Sequence, residues 1–176
     1  MVLGVAGATS ARGPIFIAGL AGLVAGAVSM ALGEFVSASS QRDSEAAQIL
    51  KEKHELESTP EEELAELMAL YEAKGVSRET AGRVAVELTE TDALGAHLDA
   101  ELNIDPADLV SPIRAAAASA FSITLGALLP LVAILVPPQA MRVPATLIGV
   151  LLALGTTGAV SARIGHSSPR RAIVRL

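Results

Sequence analysis

The chain has 176 residues, of which 51% are hydrophobic, 18% charged and 2% aromatic, and its mean hydropathy is +0.50. This composition is too apolar for a disordered chain or an ordinary soluble domain. The net charge of −6 leaves no basic surplus to neutralise phosphates, which excludes a typical nucleic-acid binder. Because there is no cysteine, disulfide frameworks, thiolate metal sites and cysteine nucleophiles are excluded as well.

Three uncharged runs are long enough to cross a bilayer. Residues 13–33, 115–136 and 143–162 contain 21, 22 and 20 residues without a charge. About 20 helical residues span the hydrocarbon core, which is about 30 Å thick. Buried helices of a soluble protein are the alternative, but such helices are usually shorter and carry a polar stripe. We therefore predict an all-α protein, a polytopic membrane helix bundle.

Small residues are frequent in these runs, and Gly22 and Gly26 form a GxxxG motif. In lipid, helices associate by close van der Waals approach, which small residues permit. The motif predicts a tightly packed bundle or dimer. The alternative is that glycine and alanine are simply abundant in membrane helices.

The acidic residues are concentrated between the first and second of these uncharged runs. Residues 43–108 hold 18 acidic and five basic side chains, a local net charge of −13, and Glu34 is the only acidic residue elsewhere. Arg42 and Arg114 each lie beside the end of a predicted span. Since basic residues near span ends favour the cytoplasmic side, we predict that the acidic segment is cytoplasmic.

The acidic segment contains helix start and stop signals. Thr59-Pro60-Glu61-Glu62 has the pattern of a capping box, and Gly75 is a typical left-handed stop. Further helices are predicted to begin at Ser77, at Thr91 or Asp92, and at Asp105-Pro106, the last leading into the membrane. Residues 40–57 have no glycine or proline, so they are expected to continue the preceding membrane helix into water.

Three helical spacings within this segment indicate a metal site. The pairs are Glu52 with Glu55, Glu63 with Glu66, and His97 with Glu101. Residues three or four apart share a helix face, so packed helices could surround a cation with carboxylates and an imidazole. This ligand set suits Mn²⁺ or Fe²⁺ rather than structural zinc or copper. A solvated, salt-bridged helix face is the alternative.

Met30 and Glu34 lie one turn apart near the cytoplasmic end of the first complete span. A carboxylate inside a span is a functional-site hypothesis, and a thioether is a soft metal ligand. We predict that these two residues line a transport path. Alternatively, Glu34 lies at the headgroup level and Met30 only packs.

The residues Gly26 to Asp43 read Gly-Ala-Val-Ser-Met-Ala-Leu-Gly-Glu-Phe-Val-Ser-Ala-Ser-Ser-Gln-Arg-Asp and closely resemble the vacuolar iron transporter family with its bacterial relatives. The resemblance continues through the glutamate-rich segment into residues 119–130 and covers nearly the whole chain. It implies a dimeric membrane protein with five spans per subunit and a cytoplasmic helical metal-binding domain between spans two and three. It also implies transport of Fe²⁺ or Mn²⁺ out of the cytoplasm in exchange for protons.

The same resemblance assigns roles to individual residues. His97 stands where plant members have a methionine, which makes the predicted site harder and more sensitive to pH. Met30 matches the membrane methionine of the transport path. The glutamates that match the family's metal ligands by residue type are Glu52, Glu55, Glu63, Glu66 and Glu101.

Relative to that family, we expect most of the first and fifth spans to be absent from this chain. The predicted regions are a membrane region (residues 1–39, a partial first span and a full second span), an acidic metal-binding domain (40–110), a second membrane region with two spans (111–163) and a basic cytoplasmic tail (164–176). The expected location is the cell membrane in a prokaryote, or an endomembrane such as the vacuole in a eukaryote.

We therefore expect a transporter of divalent iron or manganese that contributes to metal homeostasis. We expect no enzyme activity, no tightly bound cofactor and no nucleic-acid partner; the bilayer, protons and a second copy of the chain are the expected partners. Two alternatives are a non-transporting metal-binding or sensor subunit and a ferritin-like di-iron protein. The second normally uses Glu-x-x-His motifs, and none occurs in this sequence.

Overall fold

The computed structural model describes residues 1–165, and it is helical without a strand in that range. The all-α prediction is confirmed. A π-helical turn, Leu98–Leu102, follows the fourth helix, and a 3₁₀ turn, Gln139–Met141, precedes the sixth. In chain order the helices are α1 (Val2–Ala8), α2 (Arg12–Ser58), α3 (Pro60–Ala73), α4 (Arg78–His97), α5 (Pro112–Leu135) and α6 (Arg142–Ile164).

Three helices are long and apolar enough to cross a membrane: α2, α5, and α6 with its preceding 3₁₀ turn. They contain the three uncharged runs predicted from the sequence, apart from Val136 at the end of the second. Pro14 lies in the first turn of α2, where proline costs no helical hydrogen bond. Beyond its apolar part, α2 continues unbroken to Ser58, so the expected extension past the predicted span is confirmed.

The described chain divides into two compact units, and the first contains residues 1–33 together with residues 116–165. Its buried side chains include Ile15, Leu131 and Ile134, whereas most other large apolar side chains of this unit are exposed. Gly19 of α2 faces Leu131 of α5 so closely that a β-carbon at Gly19 would overlap that side chain. The helices α2 and α5 thus approach each other closely at Gly19, and the tight bundle or dimer expected from Gly22 and Gly26 stays a prediction.

An arginine is buried at the start of α6 in this first unit. The Nη1 of Arg142 donates a hydrogen bond to the Ser10 carbonyl at 2.7 Å, and the residue is 6% exposed. Thr146, fully buried one turn later, donates to the Arg142 carbonyl at 2.7 Å. The guanidinium thus satisfies a backbone oxygen between α1 and α2, a role that the sequence did not indicate.

The second unit contains residues 34–115. Here α3 packs against α4 through Leu67, Ala81 and Ala85, all fully buried. The connection between the two helices includes Gly75 at φ +94°, which is the left-handed stop expected there. The π-helical turn packs against both helices, and its Leu98 is also fully buried.

The predicted helix starts at Thr59-Pro60, Ser77 and Asp92 are confirmed, whereas the start at Asp105-Pro106 and the capping box at Thr59 are wrong. Asp92 interrupts α4 with non-helical angles, and its Oδ1 accepts from the Gly95 N–H at 3.0 Å, so a new helical segment begins there as expected. The Thr59 hydroxyl donates back to the Glu55 carbonyl instead of capping α3, so the capping box does not form. Residues 106–108 form a turn, and the next helix begins only at Pro112.

Candidate metal centre

Three buried side chains from separate helices meet in the second unit. They are Glu52 of α2, Glu63 of α3 and His97 at the end of α4, and each offers a ligand atom within 4.8 Å of the others. His97 is fully buried, and the two glutamates are 3% and 7% exposed. We call Glu52, Glu63 and His97 the inner ligands.

The distances among the inner ligands suit a shared cation. The Nδ1 of His97 lies 3.0 Å from Glu52 Oε1 and 3.7 Å from Glu63 Oε2. Nitrogen and oxygen ligands bound octahedrally at about 2.1 Å from one ion lie about 3 Å apart. The inner ligands could therefore converge on a divalent ion after small side-chain adjustments.

The polar atoms of this cluster lack other partners. Within residues 1–165, Glu52 Oε1 and both ring nitrogens of His97 are buried without a hydrogen bond, because the 3.0 Å contact lacks hydrogen-bond geometry. A buried polar atom without a partner is costly in an apolar environment. An ion bound by Glu52 Oε1 and His97 Nδ1 would remove that cost for these two atoms.

The other three predicted ligands lie around this cluster. Each inner ligand is the first member of one of the helical pairs identified in the sequence, and each second member is more exposed. Glu55 is half-buried, whereas Glu66 and Glu101 are exposed. We call Glu55, Glu66 and Glu101 the outer carboxylates.

The negative charges of this region act together on Glu52. Burial raises the pKa of Glu52 to about 7, with further contributions from the charges of Glu101, Glu63, Glu55 and Glu66. Burial also raises the pKa of Glu63, although His97 opposes that rise. Both carboxyl groups therefore hold protons more tightly than a free glutamate, and a divalent cation would have to displace them.

Glu101 lies in the π-helical turn that follows His97. In an α-helix, residues four apart share a face. The chain enters the wider π turn directly after His97, and the turn closes at Asn103, whose φ is +52° and whose N–H bonds to the Leu98 carbonyl. His97 is buried and Glu101 is exposed.

The two residues predicted for the transport path are not part of this cluster. Met30 is 54% exposed, and Glu34, one turn later on α2, is exposed as well. Their assignment to a transport path stays a prediction. The tail beyond Gly165, with His166 and the last three arginines, lies outside the described residues.

Sequence reasoning did not identify which member of each pair is buried. A usable signal existed on α3, because Glu63 lies four residues before Leu67, the fully buried leucine of that helix. Sequence reasoning also missed Lys51, whose Nζ lies 2.6 Å from Glu55 Oε2.

Membrane-length apolar helices and a buried Glu-Glu-His cluster define a helical membrane protein with a candidate divalent-cation site. A sequence model of the VIT family matches residues 1–176, and the chain belongs to that family. Because this is a family of transporters, the expectation that the chain is not an enzyme is confirmed.

Three curated relatives illustrate the similarity. The "Vacuolar iron transporter" of Acanthamoeba castellanii is 43% identical over 92% of this chain and 62% of its own length. "Vacuolar iron transporter homolog 1" of Oryza sativa subsp. japonica is 34% identical over 100% of this chain and 58% of its own length. "Vacuolar iron transporter 1" of Arabidopsis thaliana is 28% identical over 97% of this chain and 70% of its own length. The chain thus spans about three fifths of the first two relatives.

Proposed function

We propose that the protein moves divalent iron, manganese or both out of the cytoplasm and so contributes to metal homeostasis. Membership of the VIT family and the iron-transporter names of its curated relatives support iron as the transported ion. The donor set adds manganese, because two carboxylates and one imidazole without a thiolate suit Fe²⁺ and Mn²⁺ alike. The ion is the transported substrate rather than a resident cofactor.

The observation that carries this proposal is the burial of Glu52, Glu63 and His97 around a common point with unpaired donor atoms. In our proposal the inner ligands collect the ion, and the outer carboxylates attract it towards them. A local charge of −13 over residues 43–108 raises the concentration of divalent cations near this site.

The proposal includes a membrane arrangement. The three apolar helices cross the bilayer, residues 1–39 and 111–163 form the membrane regions, and residues 40–110 form a cytoplasmic metal-binding domain. Exposed apolar side chains on the membrane-length helices, such as Phe121 and Leu151, suit contact with lipid or with a second copy. We propose a homodimer in which Met30 and Glu34 line part of the path.

Exchange with protons follows from the chemistry of the inner ligands. Carboxylates must be deprotonated to hold a divalent ion, so binding releases protons. The raised pKa of Glu52, about 7, places this release in the physiological range. Protonation of these carboxylates would in turn release the ion from the cytoplasmic site, so proton uptake and metal release are coupled there.

Binding is tested by calorimetric titration of Mn²⁺, with anaerobic Fe²⁺ in parallel, into the detergent-purified chain. The test variant is Glu52→Gln/Glu63→Gln, which changes two inner ligands. The control variant is Glu57→Gln/Glu62→Gln, which changes two exposed glutamates on the same helices. We expect the inner double variant to lose stoichiometric binding and the control to retain it. Equal affinities in both variants would contradict the proposed role of the inner ligands.

Transport is tested in proteoliposomes loaded with a metal-sensitive dye. We expect Fe²⁺ or Mn²⁺ influx that depends on a pH gradient and is lost in Glu52→Gln/Glu63→Gln. Because the chain has no cysteine, Glu90→Cys and Gln139→Cys each introduce one labelling site to map topology in intact cells. Labelling of position 90 from outside the cell would contradict the cytoplasmic assignment.

A non-transporting metal-binding subunit is the second candidate. It is favoured by the location of all three inner ligands within residues 34–115, since binding then needs no residue of the first unit. Stoichiometric metal binding without metal flux in proteoliposomes would favour this candidate over the transporter.

A further inference from the structure

A lysine lies against one of the outer carboxylates. The Nζ of Lys51 donates a hydrogen bond to Glu55 Oε2 at 2.6 Å. Lys51 directly precedes the inner ligand Glu52 in α2, and its side chain is 70% exposed, whereas that of Glu55 is 35% exposed. The ammonium group therefore sits at the rim of the candidate site, on a stem that is free to move.

The stability of α2 gives little reason for this pair. Glu55 lies in the last turn of α2, where the helix dipole disfavours negative charge. The order is lysine first and glutamate four residues later, which is the less favourable orientation for such a pair. Exposed ion pairs of this type contribute little to stability. A role in the charge balance of the site accounts better for the position of Lys51.

The charges of several site glutamates also affect the pKa of Lys51. The hydrogen bond with Glu55 is the main cause that raises the pKa of Lys51, and the charges of Glu55, Glu101 and Glu52 add to it. These groups include one inner ligand and two of the three outer carboxylates. The ammonium thus lies in the field of the same glutamates that would attract a metal ion.

We propose that Lys51 is a tethered counter-cation, which neutralises Glu55 in the ion-free site and leaves it when a divalent ion binds. This inference rests on the proposed function of the inner ligands. The ammonium group of Lys51 keeps the repulsion among the clustered glutamates low before the ion arrives. Because the ion must displace the ammonium group, Lys51 lowers the affinity and makes release of the ion easier.

Lys53 provides a matched control on the same helix. It carries the same charge two residues later, about 200° around the helix, and it is exposed. Within residues 1–165 it forms no ion pair within 4.0 Å. Lys51→Ala and Lys53→Ala therefore change the net charge equally but differ in what they remove from the site.

The test is calorimetric titration of Mn²⁺ into the full chain in detergent. We expect Lys51→Ala to tighten the Mn²⁺ dissociation constant by about three- to tenfold and Lys53→Ala by less than about twofold, because its charge is more distant and screened. Lys51→Arg, which keeps the charge, should leave the affinity close to that of the parent chain. In a Glu55→Gln background, Lys51→Ala should lose most of its effect.

The outcomes separate this inference from the proposed function. Equal effects of Lys51→Ala and Lys53→Ala, or an undiminished Lys51→Ala effect in the Glu55→Gln background, would overturn the counter-cation role while leaving the metal site intact. Absence of Mn²⁺ binding in the parent chain would overturn the proposed function, and this inference with it.

Discussion

The Nδ1 of His97 lies 3.0 Å from the Oε1 of Glu52, and both atoms are buried although the two residues are 45 positions apart in the chain. This contact joins the end of α4 to the polar part of α2 and completes the inner ligand set with Glu63. Neither residue is explained by apolar packing, since each buries a polar group without a hydrogen bond.

The inner ligands and the outer carboxylates should differ in their effect on Mn²⁺ affinity. We expect Glu63→Gln to weaken binding by more than about 100-fold and Glu66→Gln by roughly tenfold, the range typical of groups that support a ligand. The pair is well matched, since both residues lie on α3 three positions apart. Calorimetry measures both constants, and similar losses in the two variants would argue against the division into two sets.

Metal affinity should rise with pH through about 7. The pKa of Glu52 is raised to about 7, so below this pH an ion must displace a proton and above it the carboxylate is already free. Mn²⁺ titrations at pH 5.5, 6.5 and 7.5 in buffers of different ionisation enthalpy measure the protons released per ion. We expect more protons released at pH 6.5 than at pH 7.5, and equal release at both would exclude Glu52 as the source.

The stability of the metal-free protein should fall with rising pH, whereas the metal affinity should rise. Because the pKa of Glu52 is raised from 4.5 in the unfolded chain to about 7 in the folded one, the folded state binds the proton more tightly. This contribution to stability is fully present below pH 4.5 and is lost as the pH rises through about 7. Glu63, whose pKa is also raised, adds to the same trend.

Thermal unfolding of the chelator-treated protein in detergent checks this trend. We expect a lower Tm at pH 8 than at pH 6, a smaller difference in Glu52→Gln, and recovery of the Tm at pH 8 when Mn²⁺ is added. A Tm that rises between pH 6 and pH 8 without metal would show that groups other than Glu52 and Glu63 determine the pH dependence of stability.

The packing of α2 against α5 should depend on Gly19. A β-carbon at Gly19 would overlap the Leu131 side chain, which is 5% exposed and has little room to move. We expect Gly19→Ala to cost about 1–3 kcal/mol, as overpacking of a core does. The control is Gly33→Ala on the same helix, because no atom lies within 4 Å of that β-carbon position. Thermal unfolding in detergent measures both, and Leu131→Ala should relieve the Gly19→Ala defect.

Arg142 should stabilise the connection between α1 and α2. Removal of its guanidinium leaves the Ser10 carbonyl without that hydrogen bond, so we expect Arg142→Ala to destabilise the protein by about 1–3 kcal/mol. Arg12→Ala, which removes an exposed arginine at the start of α2, is the control and should have little effect. Equal Tm values for the two variants would contradict a structural role for Arg142.

The helical class and the three membrane-length helices were predictable from the sequence alone. Uncharged runs of 20 to 22 residues force helices with that length and composition, because backbone groups in lipid must be satisfied within the segment. The extension of α2 to Ser58 and the left-handed stop at Gly75 were also predictable. These features depend on neighbouring residues in the chain, so local physics determines them.

The six candidate ligands were also identified from the sequence, since their spacing at three or four residues is a local property. Only the tertiary structure decided that Glu52, Glu63 and His97 are buried together while the second member of each pair is more exposed. That choice depends on how α2, α3 and α4 pack around the cluster. The failed capping box at Thr59 and the Arg142 hydrogen bond to Ser10 have the same origin. In each case a polar group bonds to a partner that the local sequence pattern does not specify. Helical periodicity therefore could not predict these contacts.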